Sequence, residues 1–141
     1  MKILLKKAYL IAVVMMSWIV GANAADQSNP TTTSKTSVKH VDPKQAQQLI
    51  VDKKVIVLDL RTPTEFKAAR IKGAANIDCL APDFEERIKG LDKSKSYLVH
   101  CASGGRSTRS LSTFQRQQFH SIYHLDGGIK AWEKDGLPLE K

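Results

Sequence analysis

Cysteine is scarce in this sequence: Cys79 and Cys101 are the only two. Two thiols cannot make a four-ligand structural zinc site, and no His/Cys group has ligand spacing along the chain. No metal and no cofactor is therefore expected. In an oxidising compartment two thiols invite a disulfide, so a staple closing the loop between them stands as one reading. Aromatic residues make up only 6% of the chain, and no Lys/Arg cluster is interleaved with them. That argues against a nucleic-acid surface. A formal charge of +8 supports no more than attraction of anions. The longest apolar stretch, Ala8–Val20, falls short of the roughly 20 residues that span a bilayer comfortably. There is no internal repeat.

Acidic residues are missing altogether from residues 1–24, which carry Lys2, Lys6 and Lys7. Those lysines, the uncharged run Ala8–Val20 and the small residues Gly21-Ala22-Asn23-Ala24 have the order of a secretory signal peptide. Cleavage is expected after Ala24, leaving the mature protein in the periplasm with no stable membrane span. The alternative is an uncleaved signal that anchors the chain in the inner membrane. Removing these residues leaves 19 Lys+Arg against 14 Asp+Glu, a charge of +5. Residues 25–37 hold no large apolar side chain and read as a flexible lead. The remaining 38–141 is enough chain for one domain and not for two.

Within that domain strands and helices alternate. A short strand at Val38–Val41 precedes Asp42-Pro43, an N-cap and first helical residue, and a helix with Ala46, Leu49 and Ile50 on one face. Val55–Leu60 is apolar without alternation, as a strand covered on both faces should be. Thr62-Pro63 opens a helix through Ala69. A short strand follows at Ala75–Ile77, and residues 83–90 read as a helix carrying Phe84 and Ile88. Tyr97–Val99 is the next strand. A helix reaches about Phe119, a strand spans Ile122–Leu125, and a last helix runs from Ile129 to Lys134 with Trp132 in the core. The fold class is α/β: a small, mostly parallel sheet of about five strands with helices on both faces. Ligands bind such sheets beyond the carboxyl ends of the strands. Asp59-Leu60-Arg61 and Cys101 all lie at such ends.

The stretch from Tyr97 to Ser110 carries the chemistry. A strand ends at His100-Cys101, a small loop follows as Ala102-Ser103-Gly104-Gly105, and Arg106 opens a helix. A loop of this kind turns several backbone N–H groups toward one spot, and the helix dipole adds positive potential there. A cysteine at that spot holds its sulfur as thiolate, the nucleophilic form. His100 adjoins Cys101, but adjacent strand residues point to opposite faces, so it reads as a packed or hydrogen-bonded histidine. His40 and His124 carry no spacing argument.

These pieces resemble a single-domain rhodanese, a sulfurtransferase module. Asp59-Leu60-Arg61-Thr62 with Glu65-Phe66 resembles the family's first signature. Arg70-Ile71-Lys72-Gly73-Ala74-Ala75-Asn76-Ile77 resembles the second, with Arg70 where the family usually has His. Cys101–Ser107 resembles the active-site loop, and Asp126-Gly127-Gly128 through Trp132 with Gly136-Leu137-Pro138 resembles the closing signature. The resemblance implies that the Cys101 thiolate takes a sulfane sulfur from a donor such as thiosulfate, becomes a persulfide, and passes the sulfur to a thiophilic acceptor such as cyanide, a small thiol or a protein thiol. The loop N–H groups of Ala102, Ser103, Gly104, Gly105 and Arg106 would solvate the outer sulfur, and Arg106 would offer its donor fork to an anionic donor. Asp59, Arg61 and Ser107 are expected one layer out, with Arg61 bracing the active loop rather than contacting substrate, and Asp59 partnering Arg61 or capping a backbone group. Cys79 is a candidate resolving thiol; the plainer reading is a small apolar residue.

Two other classes compete. Cysteine phosphatases and arsenate reductases of related fold place five residues between Cys and Arg, enough to enclose a tetrahedral oxyanion. Here four lie between Cys101 and Arg106, and Ser107 occupies the position of that arginine. The other competitor is a non-catalytic module, a carrier or regulator whose persulfide serves one partner.

Overall fold

A computed structural model of the protein describes residues 35–141. The expected signal peptide and most of the expected lead lie outside those residues. Seven strands and five helices follow in the order β1 (Ser37–Val41), α1 (Pro43–Val51), β2 (Ile56–Asp59), α2 (Pro63–Ala68), β3 (Arg70–Ile71), β4 (Ala75–Asn76), α3 (Phe84–Lys89), β5 (Ser96–His100), α4 (Gly105–Arg116), β6 (Ser121–Leu125), α5 (Gly128–Lys134) and β7 (Leu139–Glu140). Five strands form one sheet in the order β1-β6-β5-β2-β4, and every pair in it is parallel. A separate two-stranded sheet pairs β3 with β7 antiparallel. The sequence pattern shows neither of these strands: each is two residues long and presents no periodicity to read.

Local chemistry explains where the helices begin. Asp42 caps α1 and Thr62 caps α2. Each is followed by proline, and each forms a reciprocal capping box with the side chain three residues on, Gln45 or Glu65. Helix α4 stops at Arg116, short of the expected Phe119. Gln118 takes a left-handed backbone conformation there, and Phe119 turns its fully buried ring back onto Phe114 and Tyr97.

The period of two along each strand sorts the core into two layers. Leu58, Tyr97, Val99 and Ile122 pack with Phe84 and Ile88 of α3 and Phe114 of α4. Val57, Leu98 and Leu125 pack on the other face with Ala46 of α1 and with Ile129 and Trp132 of α5. Both faces of the central strands are thus covered, which accounts for their continuous apolar run. By the same alternation Cys101 and His124 fall on the α4 side, whereas Asp59 and His100 fall on the other. Among the described residues no helix is long and apolar enough to cross a membrane.

Candidate active site

Cys101 leaves the carboxyl end of β5 with 1% of its surface exposed. The loop behind it bends through Gly104, whose φ of +99° is a left-handed conformation that side chains strain to adopt. That bend brings the Gly104 N–H to 3.1 Å from the Cys101 Sγ. The Ser107 hydroxyl, in the first turn of α4, lies 3.4 Å from the same sulfur. Burial alone would push the thiol pKa up. The Ser107 hydroxyl and the backbone N–H groups of Ser107, Ser103 and Gly104 outweigh it and bring the pKa below that of an ordinary cysteine. Ser107, expected one layer out, therefore touches the sulfur itself.

The last helix holds the loop in this shape. The Ile129 N–H donates to the Cys101 carbonyl at 2.9 Å, and the Lys130 N–H to the Ala102 carbonyl at 3.0 Å. Gly128 makes this approach possible. A Cβ on it would stand 2.5 Å from the Cys101 oxygen and 2.7 Å from the Ala102 oxygen. With both carbonyls turned toward α5, the Ser103 and Gly104 N–H groups of the loop are left to the sulfur.

Arg106 sits at the mouth, and its fork is already engaged. Its two terminal nitrogens donate to the Glu65 carboxylate at 2.9 and 2.7 Å. The Arg106 hydrogen bonds hold the Glu65 carboxyl at about 2, far below its usual range, with help from Thr62, while the same contact raises the guanidinium further. Arg106 thus ties the loop to α2.

Arg61 does not brace the active loop as expected. Its guanidinium turns back to the fully buried Asp59 two residues earlier, with Nε at 2.9 and 3.1 Å from the two carboxylate oxygens, and donates to the Ala69 carbonyl at 2.7 Å. An unpaired carboxylate at that depth would be costly, so the nearest cation is drawn to it. Asn76 fixes the same corner by donating to the Asp59 and Arg61 carbonyls. His100 is fully buried on this side of the sheet. Its Nδ1 bonds the Cys101 carbonyl at 3.2 Å, and burial lowers its pKa. It forms no Cys/His dyad, because it and Cys101 point to opposite faces.

His124 was the residue that spacing arguments missed. Its Nε2 lies 2.8 Å from the Ser107 hydroxyl, and its Nδ1 lies 3.0 Å from Asp126 Oδ1. His40 Nδ1 reaches that same oxygen at 2.7 Å. The signal was present in the sheet: His124 stands two residues after Ile122, hence on the face of α4, and pairs in register with His40 on β1. The donor atoms of His40, His124 and Asp126 lie within 4.8 Å of one another. Both Nδ1 atoms are already used on Asp126, so we read the group as a hydrogen-bonded chain and not as a metal centre.

Cys79 lies beside the site. With Leu80, Phe84, Arg106, Arg109, Ser110 and Thr113 it lines a pocket of about 200 Å³. Both cysteines are free thiols, so no staple closes the loop between them. Burial raises the Cys79 thiol pKa, against a smaller opposing effect of Ser110, whereas that of Cys101 is lowered. Of the two sulfurs only Cys101 is set up to ionise. Arg109 had not been singled out from the sequence, since one turn of helix past Gly105 it reads as a surface residue.

An α/β domain with a buried, backbone-cradled cysteine at the end of a central parallel strand defines a class, and the comparisons place the chain within it. Residues 42–135 match the family model described as Rhodanese-like domain, and the chain belongs to that family. It is 30% identical over 104 residues to a Sulfurtransferase of Allochromatium vinosum, covering 72% of this chain and 94% of that one. It is 27% identical over 146 residues to the chloroplastic Rhodanese-like domain-containing protein 14 of Arabidopsis thaliana, covering 73% of this chain and 65% of that relative. The chain spans under two thirds of the latter's length, and 32% of the tRNA uridine(34) hydroxylase that it matches in Pelagibacter ubique. Among solved structures, a rhodanese-related protein from Thermoplasma volcanium superposes with a TM-score of 0.64 at 30% identity, over 72% of this chain and 97% of that one.

Proposed function

We propose that the protein is a sulfurtransferase working through a persulfide on Cys101. The observation that carries this reading is the sulfur's setting: a buried Sγ with the Gly104 N–H at 3.1 Å and the Ser107 hydroxyl at 3.4 Å, its pKa lowered by these donors. The thiolate attacks the outer sulfur of an anionic donor such as thiosulfate. The donor's S–S bond breaks, sulfite leaves with the electron pair, and Cys101–S–S⁻ remains. An acceptor such as cyanide or a thiol then attacks the outer sulfur, and the Cys101 thiolate leaves. The ring of four small residues between Cys101 and Arg106 suits one sulfur atom better than a tetrahedral phosphate. Because Arg106 is engaged by Glu65, Arg109 in the adjoining pocket is the cation better placed to draw in an anionic donor. The names of relatives such as the Sulfurtransferase of Allochromatium vinosum agree with this chemistry.

The test is intact mass after incubation with thiosulfate. One sulfur atom, about 32 Da, should be gained, lost on adding cyanide, and absent from Cys101→Ser. No adduct with any of several sulfane donors would leave the non-catalytic module as the better reading. We infer further that the protein works in the periplasm after losing residues 1–24, a reading supported by the charge and apolar pattern of that segment.

A further inference from the structure

The mechanism above uses the Cys101 sulfur and its donors, and leaves His124, Asp126 and His40 without a part. Their arrangement is continuous with the sulfur. From Cys101 Sγ the steps run to Ser107 Oγ at 3.4 Å, His124 Nε2 at 2.8 Å, Asp126 Oδ1 at 3.0 Å from His124 Nδ1, and His40 Nδ1 at 2.7 Å from that oxygen. The His124 side chain is 3% exposed, whereas those of Asp126 and His40 are each 55% exposed. The chain thus leads from a buried thiol to solvent.

Hydrogen counting gives the chain a direction. Ser107 has one hydroxyl proton and three acceptors around it: the Gly104 carbonyl at 3.0 Å, the Cys101 sulfur, and His124 Nε2. Asp126 is a carboxylate; burial would raise its pKa, but the hydrogen bonds from His40 and His124 outweigh that and lower it. It therefore accepts, and His124 carries a proton on Nδ1, leaving Nε2 as a lone pair directed at Ser107. The ring is held by a carboxylate on one nitrogen and faces a hydroxyl on the other, which is the arrangement of an oriented general base.

We propose that His124 is a positioning residue that governs the protonation of Cys101 through the Ser107 hydroxyl. The Cys101 S–H proton passes to Ser107 Oγ as the Ser107 proton passes to His124 Nε2. One S–H bond is lost, one N–H bond is gained, and thiolate and imidazolium result with no redox change. In that state the His124 Nε2–H donates to Ser107, whose own proton then turns to the sulfur. Asp126 stabilises the imidazolium, and because it accepts from both His124 and His40 the transferred proton stays on His124. The charged or titratable groups facing His124 are Asp126, His40 of β1, Cys101 across Ser107 and, across the sheet, His100, which the relay does not touch.

The inference rests on Cys101 being the reacting sulfur, and its test does not measure sulfur transfer. The rate of Cys101 alkylation by iodoacetamide is followed against pH, with the modified residue identified by peptide mass. The wild-type profile should show two steps, since thiol and imidazole titrate as a coupled pair. His124→Gln and Ser107→Ala should each lose one step, and the double variant should match Ser107→Ala. A His124→Gln profile that keeps both steps, or an effect of that substitution that persists without Ser107, would overturn the relay. If His124→Gln does not fold, the ring ¹⁵N shifts of His124 are titrated in the wild type and in Cys101→Ser. The midpoint should move between the two proteins, and an unmoved midpoint overturns the proposal. A protein that gains sulfur from thiosulfate with a one-step profile refutes the relay alone. One with two steps and no sulfur gain refutes the transfer alone.

Discussion

Glu65 shows how much one side chain can link. It closes the capping box of α2 by accepting from the Thr62 N–H at 3.1 Å, and it clamps Arg106 with both oxygens. Its carboxyl titrates at about 2 in the folded protein against an ordinary value of 4.5. A depressed carboxyl contributes stability that is present above the unfolded value and lost as pH falls through the folded one. The window is therefore from about pH 4.5 down to about 2. Because the side chain is one third exposed, the contribution should be only about 0.2–1 kcal/mol. Urea midpoints measured across that window should fall more steeply for the wild type than for Glu65→Gln. Parallel curves would show that the pair contributes nothing to the acid limb. At this scale the sequence could name Cys101, Arg106 and Glu65, since each sits in a recognisable local pattern. It could not say that Arg106 and Glu65, 41 residues apart, would meet. It offered Asp59 as a partner for Arg61 but could not tell that this pairing would take Arg61 away from the loop. Those are choices among partners made by burial.

Among the elements, α5 has a role larger than its seven residues suggest. It fills the core with Ile129 and Trp132, and its first N–H groups set the peptide planes of the active loop. Gly128→Ala should cost about 2–4 kcal/mol, from backbone strain at φ +60° and collision with two carbonyls. It should also slow Cys101 alkylation at neutral pH by turning the loop N–H groups away from the sulfur. Gly136→Ala is the matched control. Its φ is +71°, but nothing lies within 4 Å of a Cβ there, so about 1 kcal/mol should be lost with reactivity unchanged. Equal losses of reactivity in the two variants, compared by denaturant unfolding and alkylation, would remove this role for α5. The element boundaries were largely legible because the helices carry real caps and the strands carry real apolar runs. The β3–β7 pair was not, because Arg70-Ile71 and Leu139-Glu140 offer no apolar run to read and each is completed only by the other.

For the whole molecule, the alternation of strands and helices was enough to foresee a parallel sheet with its chemistry at the carboxyl ends. The order β1-β6-β5-β2-β4 was not foreseen, and that order makes His40 and His124 neighbours. The period of two would have placed His124 on the side of α4. Only the tertiary structure puts it 2.8 Å from Ser107. The charge balance carries a prediction of its own. If residues 1–24 are removed in an exporting host, the mature chain should begin at Ala25 and carry a formal charge of +5 rather than +8. N-terminal sequencing of the purified protein checks this, and a chain still beginning at Met1 would contradict it.

The contact of Gly128 with the loop also has a meaning in time. Cys101 leaves the ribosome before the helix that anchors its loop, and the loop carbonyls lack the N–H donors of Ile129 and Lys130 until those residues have been made. A chain that stops short of α5 therefore lacks both of the anchors that hold the active loop in shape.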